Sequence, residues 1–116
     1  MSEPGRIGDI ENQKARRRAA RELIGEYHEQ QLRLLLDRVR DGFAQMDTGD
    51  IDPFELDNLI HHYKRAARKL WSFCVLDGSS SEAAAATIET WQRTAEPQPD
   101  WWEIASSHRG ENTSAG

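Results

Sequence analysis

Cysteine occurs once in this chain of 116 residues, at Cys74, which excludes an internal disulfide and any zinc site built from several thiolates. Long apolar runs are also missing: the longest are Leu34-Leu35-Leu36 and Phe73 to Leu76. A helix needs about 20 consecutive apolar residues to cross a bilayer, so no membrane span is expected. The opening Met1-Ser2-Glu3-Pro4-Gly5 has no basic flank leading into an apolar stretch, so no secretory signal is expected either. A reducing, cytoplasmic setting follows from the lone thiol. There is no Gly-x-Ser-x-Gly elbow and no glycine-rich phosphate loop ending in lysine. Proline is confined to positions 4, 53, 97 and 99, which leaves two long stretches free to be helical.

Apolar residues make up 37% of the chain and charged residues 30%. That balance suits a thin helical assembly whose apolar stripe is covered partly by a partner or a second copy. The net charge of -5 argues against a general nucleic-acid binder, which needs a basic surface. The charge is uneven, however. Residues 14 to 21 read Lys-Ala-Arg-Arg-Arg-Ala-Ala-Arg, whereas residues 82 to 116 hold six acids against two arginines.

Residues 1–9, with Pro4, Gly5 and Gly8, read as a disordered leader. Asp9 is a candidate N-cap for a long helix over about 10–46, dense in Ala, Arg, Glu, Gln and Leu. Apolar residues at 32, 35, 36, 39, 43 and 46 keep helical spacing, and Ala20, Leu23, Ile24 and Tyr27 extend the stripe upstream. Gly25 and Gly42 are weak points, each costing about 1 kcal/mol against alanine. Asp47-Thr48-Gly49-Asp50 is turn chemistry. Asp52-Pro53-Phe54-Glu55 then supplies an N-cap acid, a proline at the first helical position and a glutamate placed to close a capping box. The second helix should run over about 53–75, with Leu56, Leu59, Ile60, Tyr63, Ala67, Leu70 and Cys74 on one face. A turn this short predicts an antiparallel two-helix hairpin. Asp77-Gly78-Ser79-Ser80 opens a loop, Ser80 or Ser81 caps a short helix over about 82–94, and Asp100 caps one further turn over 101–105. Residues 106–116 offer nothing to bury and read as a disordered tail.

Three candidate chemistries can be weighed. Gly49, Ile51 and Glu55 match the turn glycine, central apolar residue and final glutamate of a calcium loop, but Ala44 and Met46 stand where its first oxygen ligands belong. Asp57 and His61 share a helical face, and Glu22, Glu26 and Glu29 make a carboxylate row. No Glu-x-x-His pair accompanies them, and adjacent His61 and His62 diverge, so these side chains read as solvated or paired at the surface. Cys74 lies on an apolar face, where a thiol acts as a small hydrophobe. The chain is therefore read as a non-enzyme with no catalytic, metal-binding or cofactor-binding residues.

Two sets of side chains remain as functional leads. Arg16, Arg17, Arg18 and Arg21 on the first helix, with Lys64, Arg65, Arg68 and Lys69 on the second, are candidate contacts for nucleic acid or another anion. As an ordinary solvated face, the arginines would pair with Glu11, Glu22 and Glu26. Trp71, Trp91, Trp101 and Trp102 are candidate contacts for a protein partner, since tryptophan is enriched at binding hot spots. The Trp101-Trp102 pair either folds back to cover the hairpin or anchors a second protein, and the need to cover the stripe favours folding back.

The run Gly49-Asp50-Ile51-Asp52-Pro53-Phe54-Glu55-Leu56-Asp57, followed by Ile60 to Ala67 and Leu70 to Cys74, resembles small uncharacterised helical proteins of actinobacteria. The likeness covers residues 20 to 75 and implies a helical hairpin in a bacterial cytoplasm. It carries no activity.

Together these readings give an all-α fold: the hairpin, one or two short C-terminal helices across it, and dimerisation into a helical bundle. Leu32, Leu35, Leu36, Val39, Leu59, Tyr63 and Leu70 should form the intramolecular seam. The expected function is a non-catalytic protein-interaction or regulatory module. A small nucleic-acid-associated factor is the alternative. The expected partner is a protein, with a second copy of the chain a candidate.

Overall fold

The computed structural model of the protein describes residues 3–76, 81–94 and 98–106, with backbone placement alone for 3–7, 76 and 81. Among the described residues the fold is helical throughout and no strand occurs. There are three α-helices among them, α1 (Glu3–Asp47), α2 (Pro53–Trp71) and α3 (Ser81–Arg93), with a π-helical segment, Ser72–Leu76, that continues α2 and a C-terminal helical turn over residues 101–106.

The first helix begins at Glu3, ahead of Asp9, the residue expected to cap it. Proline is tolerated in a first turn because the N–H it lacks would have no helical partner there, and Pro4 stands in that turn. At 1.5 Å per residue the 45 residues of α1 span about 68 Å, close to the 73 Å long axis of the molecule. The other elements are far shorter, so they cover only part of it. Residues 9–19 of α1 are all exposed.

The turn after α1 forms as its residues dictate. Gly49 takes φ 83°, while Asp50 N–H donates to the Gln45 carbonyl at 2.8 Å. Thr48 Oγ1 donates to Asp50 Oδ2 at 3.0 Å. The capping box then starts α2: Asp52 Oδ1 accepts from Glu55 N–H at 2.8 Å, and Glu55 Oε1 accepts from Asp52 N–H at 3.2 Å. These oxygens are consumed by the turn and the cap.

Contacts run in opposite order along the two long helices. Gly42 lies under Leu56 and Leu59, and a Cβ there would stand 3.0 Å from Leu56 Cδ1 and 3.2 Å from Leu59 Cδ2. The glycine that looks like a weak point in the sequence is where α2 approaches α1 closely. Further up α1, Tyr27 meets Phe73 edge-on, with ring centroids 6.2 Å apart. The π segment widens the last turn of the second helix, and both Phe73 and Cys74 pack into the core from it.

One cluster holds the elements together. Ala20, Ile24, Tyr27 and Leu35 of α1, Ala66 and Leu70 of α2, Cys74, Ala85 and Ile88 of α3, and Trp101 and Ala105 of the last turn are buried in it. Leu70 and Ile88 have no exposed surface. Two assignments from the sequence need correction. Leu36, expected in the seam, is 44% exposed, because the core face of α1 turns the other way, through Leu35. His62, expected at the surface, is 7% exposed, because the C-terminal turn folds over it. The third helix lies at Ser81–Arg93, close to the expected 82–94. Its possible Ser80 cap, the 77–80 loop and the tail from 107 lie outside the described residues. The turn at 101–106 is capped by Asp100, whose Oδ1 accepts from Trp102 N–H at 3.1 Å and Glu103 N–H at 3.2 Å.

Candidate interaction site

The tryptophans split into two groups. Trp101 is buried and its Nε1–H donates to the Tyr27 hydroxyl at 2.9 Å. Phe73 links Trp91 and Trp101, with ring centroids 5.5 Å from each, and Tyr27 lies 6.0 Å from Trp91. Trp102 is half-buried. Its ring stands 4.1 Å from the His62 imidazole, and the Arg38 guanidinium lies over it at 5.2 Å. Trp91, Trp101 and Trp102 therefore pack within the chain, the last two folded back on the long helices. Trp71 is the one left outward, at 44% exposed.

His62 fastens the C-terminal turn. Its Nε2 lies 2.9 Å from the Trp102 carbonyl, an acceptor only, so Nε2 carries the hydrogen and donates. Ser106 Oγ approaches the same nitrogen at 3.2 Å. Nδ1 is then free to accept from Arg65 Nη2 at 3.4 Å, while the neighbouring Arg65 Nε is buried with no hydrogen-bond partner among the described residues. His61 faces solvent, its Nδ1 2.8 Å from the Asp57 backbone carbonyl and 3.6 Å from Asp57 Oδ2. Among the described residues no three His, Cys, Asp or Glu side chains converge on one point.

The Cys74 thiol is buried, and desolvation pushes its pKa up to about 11. The Tyr27 hydroxyl is also raised, chiefly by burial, partly offset by the Trp101 hydrogen bond. Both groups are held neutral, the opposite of an activated nucleophile.

The two basic runs lie apart. Arg16, Arg17, Arg18 and Arg21 are exposed on the uncovered half of α1 or at its edge. On α2, Lys64 and Arg68 are exposed, and Arg65 and Lys69 are half-buried. Since Tyr27 already meets Phe73, α2 begins to accompany α1 only beyond Arg21, and no single surface unites the two runs.

The two edges of the helix pair differ. One edge carries the C-terminal turn, which reaches Arg38 of α1 and His62 of α2. Between α1 and that turn is a cleft of about 360 Å³ bounded by Leu34, Arg38, Pro99 and Trp102. Among the described residues the opposite edge has no cover. There Leu36 and Phe43 of α1 and Trp71 of α2 are 44%, 47% and 44% exposed. At 100° per residue Leu36 lies about 160° around α1 from Arg38, so it points away from the turn. Leu32, Leu36, Val39 and Phe43 recur at helical spacing on α1, as do Ile60, Tyr63, Ala67 and Trp71 on α2. A groove of about 480 Å³ runs along this edge of α1, lined by Glu29, Leu32, Arg33, Leu36, Asp37 and Arg40. The sequence reading placed the apolar residues but missed this edge, because it assigned Leu36 to the seam.

Comparison with family models, curated proteins and solved structures gives no match. No helix among the described residues is long and apolar enough to cross a membrane.

Proposed function

We propose that this protein is a non-catalytic interaction or regulatory module of a bacterial cytoplasm, an antiparallel helical hairpin that pairs with a second copy through its uncovered edge. The observation that carries the reading is the contrast between the two edges. The C-terminal turn packs Trp101 and Trp102 against one edge, beside a cleft where Leu34 stays 58% exposed, and the other leaves Leu36, Phe43 and Trp71 each more than two-fifths exposed. Large apolar side chains grouped on one face mark association surfaces in soluble chains. A second copy is the commonest occupant, because an isologous contact needs one self-complementary patch.

Light scattering between 1 and 100 µM, concentrations set by roughly the affinity range of such contacts, should give twice the 13.3 kDa chain mass. The double substitution L36D/F43D should weaken the dimer by roughly 30- to 1,000-fold, the loss of one or two hot-spot residues. Both positions are exposed in the single chain, so far-UV circular dichroism should keep its helical signal. A mass of one chain at every concentration would refute self-association.

The exposed Arg16, Arg17, Arg18 and Arg21 favour a second reading, a small nucleic-acid-associated factor. It requires binding that weakens steeply with salt and disappears in R16A/R17A/R18A, measured by fluorescence anisotropy on labelled RNA and DNA. Salt-insensitive binding, or none, removes it.

A further inference from the structure

We propose that the second copy docks antiparallel along α1 about a two-fold axis near residue 35, so that Glu29 faces the partner's Arg40 and Arg33 faces the partner's Asp37. This register rests on the self-association proposed above and specifies how it is achieved.

The argument starts from a row of charges beside the uncovered apolar row. Glu29, Arg33, Asp37 and Arg40 follow one another at helical spacing and flank Leu32 and Leu36 along the same groove. Their signs alternate: minus, plus, minus, plus. Turned end for end, the row reads plus, minus, plus, minus, so it complements itself. Both pairings, 29 with 40 and 33 with 37, have their midpoint at residue 34–35, which defines one axis. The apolar row agrees with it, since Leu32 and Val39 fall on opposite sides of that point and Leu36 lies beside it.

Other arrangements of two copies lose this match. Parallel α1 helices in register would set each charge against its own kind, Arg33 on Arg33 and Asp37 on Asp37. Stacking α1 on the partner's second helix would set the alternating row against Lys64 and Arg68, exposed and of one sign, so Glu29 and Asp37 could find partners there but Arg33 and Arg40 could not. Like charges across a helix contact repel, and proteins use such repulsion to reject wrong registers.

The charged side chains are already arrayed for the contact. Arg33 Nη2 lies 3.0 Å from Glu29 Oε2, and Arg40 Nη1 lies 3.3 Å from Asp37 Oδ1, yet all four remain more than half exposed. A guanidinium has five N–H donors, so Arg33 can keep Glu29 and still take a second carboxylate. In the two-fold dimer every pairing occurs twice, which doubles the effect of any single change.

The test measures dimer dissociation constants by sedimentation equilibrium for the full chain, R33E, D37R and R33E/D37R, with helicity checked by circular dichroism. Each single change sets two pairs of like charges face to face and should weaken the dimer by roughly fourfold or more, given about 0.2–1 kcal/mol of attraction lost per exposed pair and a similar repulsion gained. The double change restores opposite charges across the axis and should return the constant to within about threefold of the unsubstituted chain. In addition, a chain with E29R/D37R and a chain with R33E/R40E should each fail to dimerise alone and form a one-to-one heterodimer when mixed. Single changes without effect on an intact dimer, or a double change no better than the singles, would overturn the register and leave self-association standing. An unsubstituted chain that is monomeric throughout would overturn both.

Discussion

Replacing Trp101 with alanine is expected to cost about 3–5 kcal/mol of stability, the range for removing a large aromatic from a packed core. Trp101 is 8% exposed and joins residues far apart in the chain, touching Phe73 and bonding Tyr27. Its loss would empty the centre of the aromatic cluster and leave the C-terminal turn held mainly by the His62–Trp102 contact. Tyr27→Phe is the informative companion. It keeps the ring packing with Phe73 and Trp91 but strands the Trp101 Nε1–H in a dry site, at a cost of about 1–3 kcal/mol. Urea unfolding followed by circular dichroism and tryptophan fluorescence measures both, and a Trp101→Ala loss below 1 kcal/mol, roughly the level of an ordinary surface change, would mean that the turn does not belong to the core.

Alkaline pH should unfold the protein by a route that passes through Cys74. Burial raises its pKa from 9.0 to about 11 in the folded chain. Between those values the unfolded chain releases the thiol proton while the folded chain keeps it. The unfolded state then binds fewer protons, so stability falls as pH rises across that window and is unaffected by this group below it. A two-unit separation corresponds to about 2–3 kcal/mol. Tyr27 is raised as well and adds to the fall above its ordinary value of 10.0. Urea midpoints from pH 8 to 11, spanning roughly the free-thiol range and above, should drop more steeply in the unsubstituted chain than in Cys74→Ala. Equal slopes would show that the thiol is hydrated in the folded state.

The sequence was legible wherever local chemistry decides the structure. Gly49, Asp52, Pro53, Glu55 and Asp100 each act through neighbours within four residues, and the turn and both caps form as those spacings predict. Contacts across long separations were not legible. Nothing near His62 in sequence says that residues 102 and 106 will bond to it, so a histidine on a charged helix reads as exposed. The same gap misplaced Leu36. Three consecutive leucines supply an apolar residue for any direction around the helix, and which of them faces inward depends on where α2 and the last turn settle. Leu35 was buried and Leu34 and Leu36 were left outside, at 58% and 44% exposed. The start of α1 was placed late for a different reason: Pro4, Gly5 and Gly8 lower helix propensity, but proline in a first turn removes no hydrogen bond.

The unequal lengths of the helices give the molecule two thermal regimes. Residues 9–19 add no side chain to the buried core, so their helicity obeys the helix–coil equilibrium of a peptide and not the all-or-none unfolding of the domain. Such a segment shortens and lengthens gradually with temperature and ionic strength, one turn at a time. Its three arginines, Arg16, Arg17 and Arg18, therefore ride on a rod whose reach is adjustable while the body it springs from stays fixed.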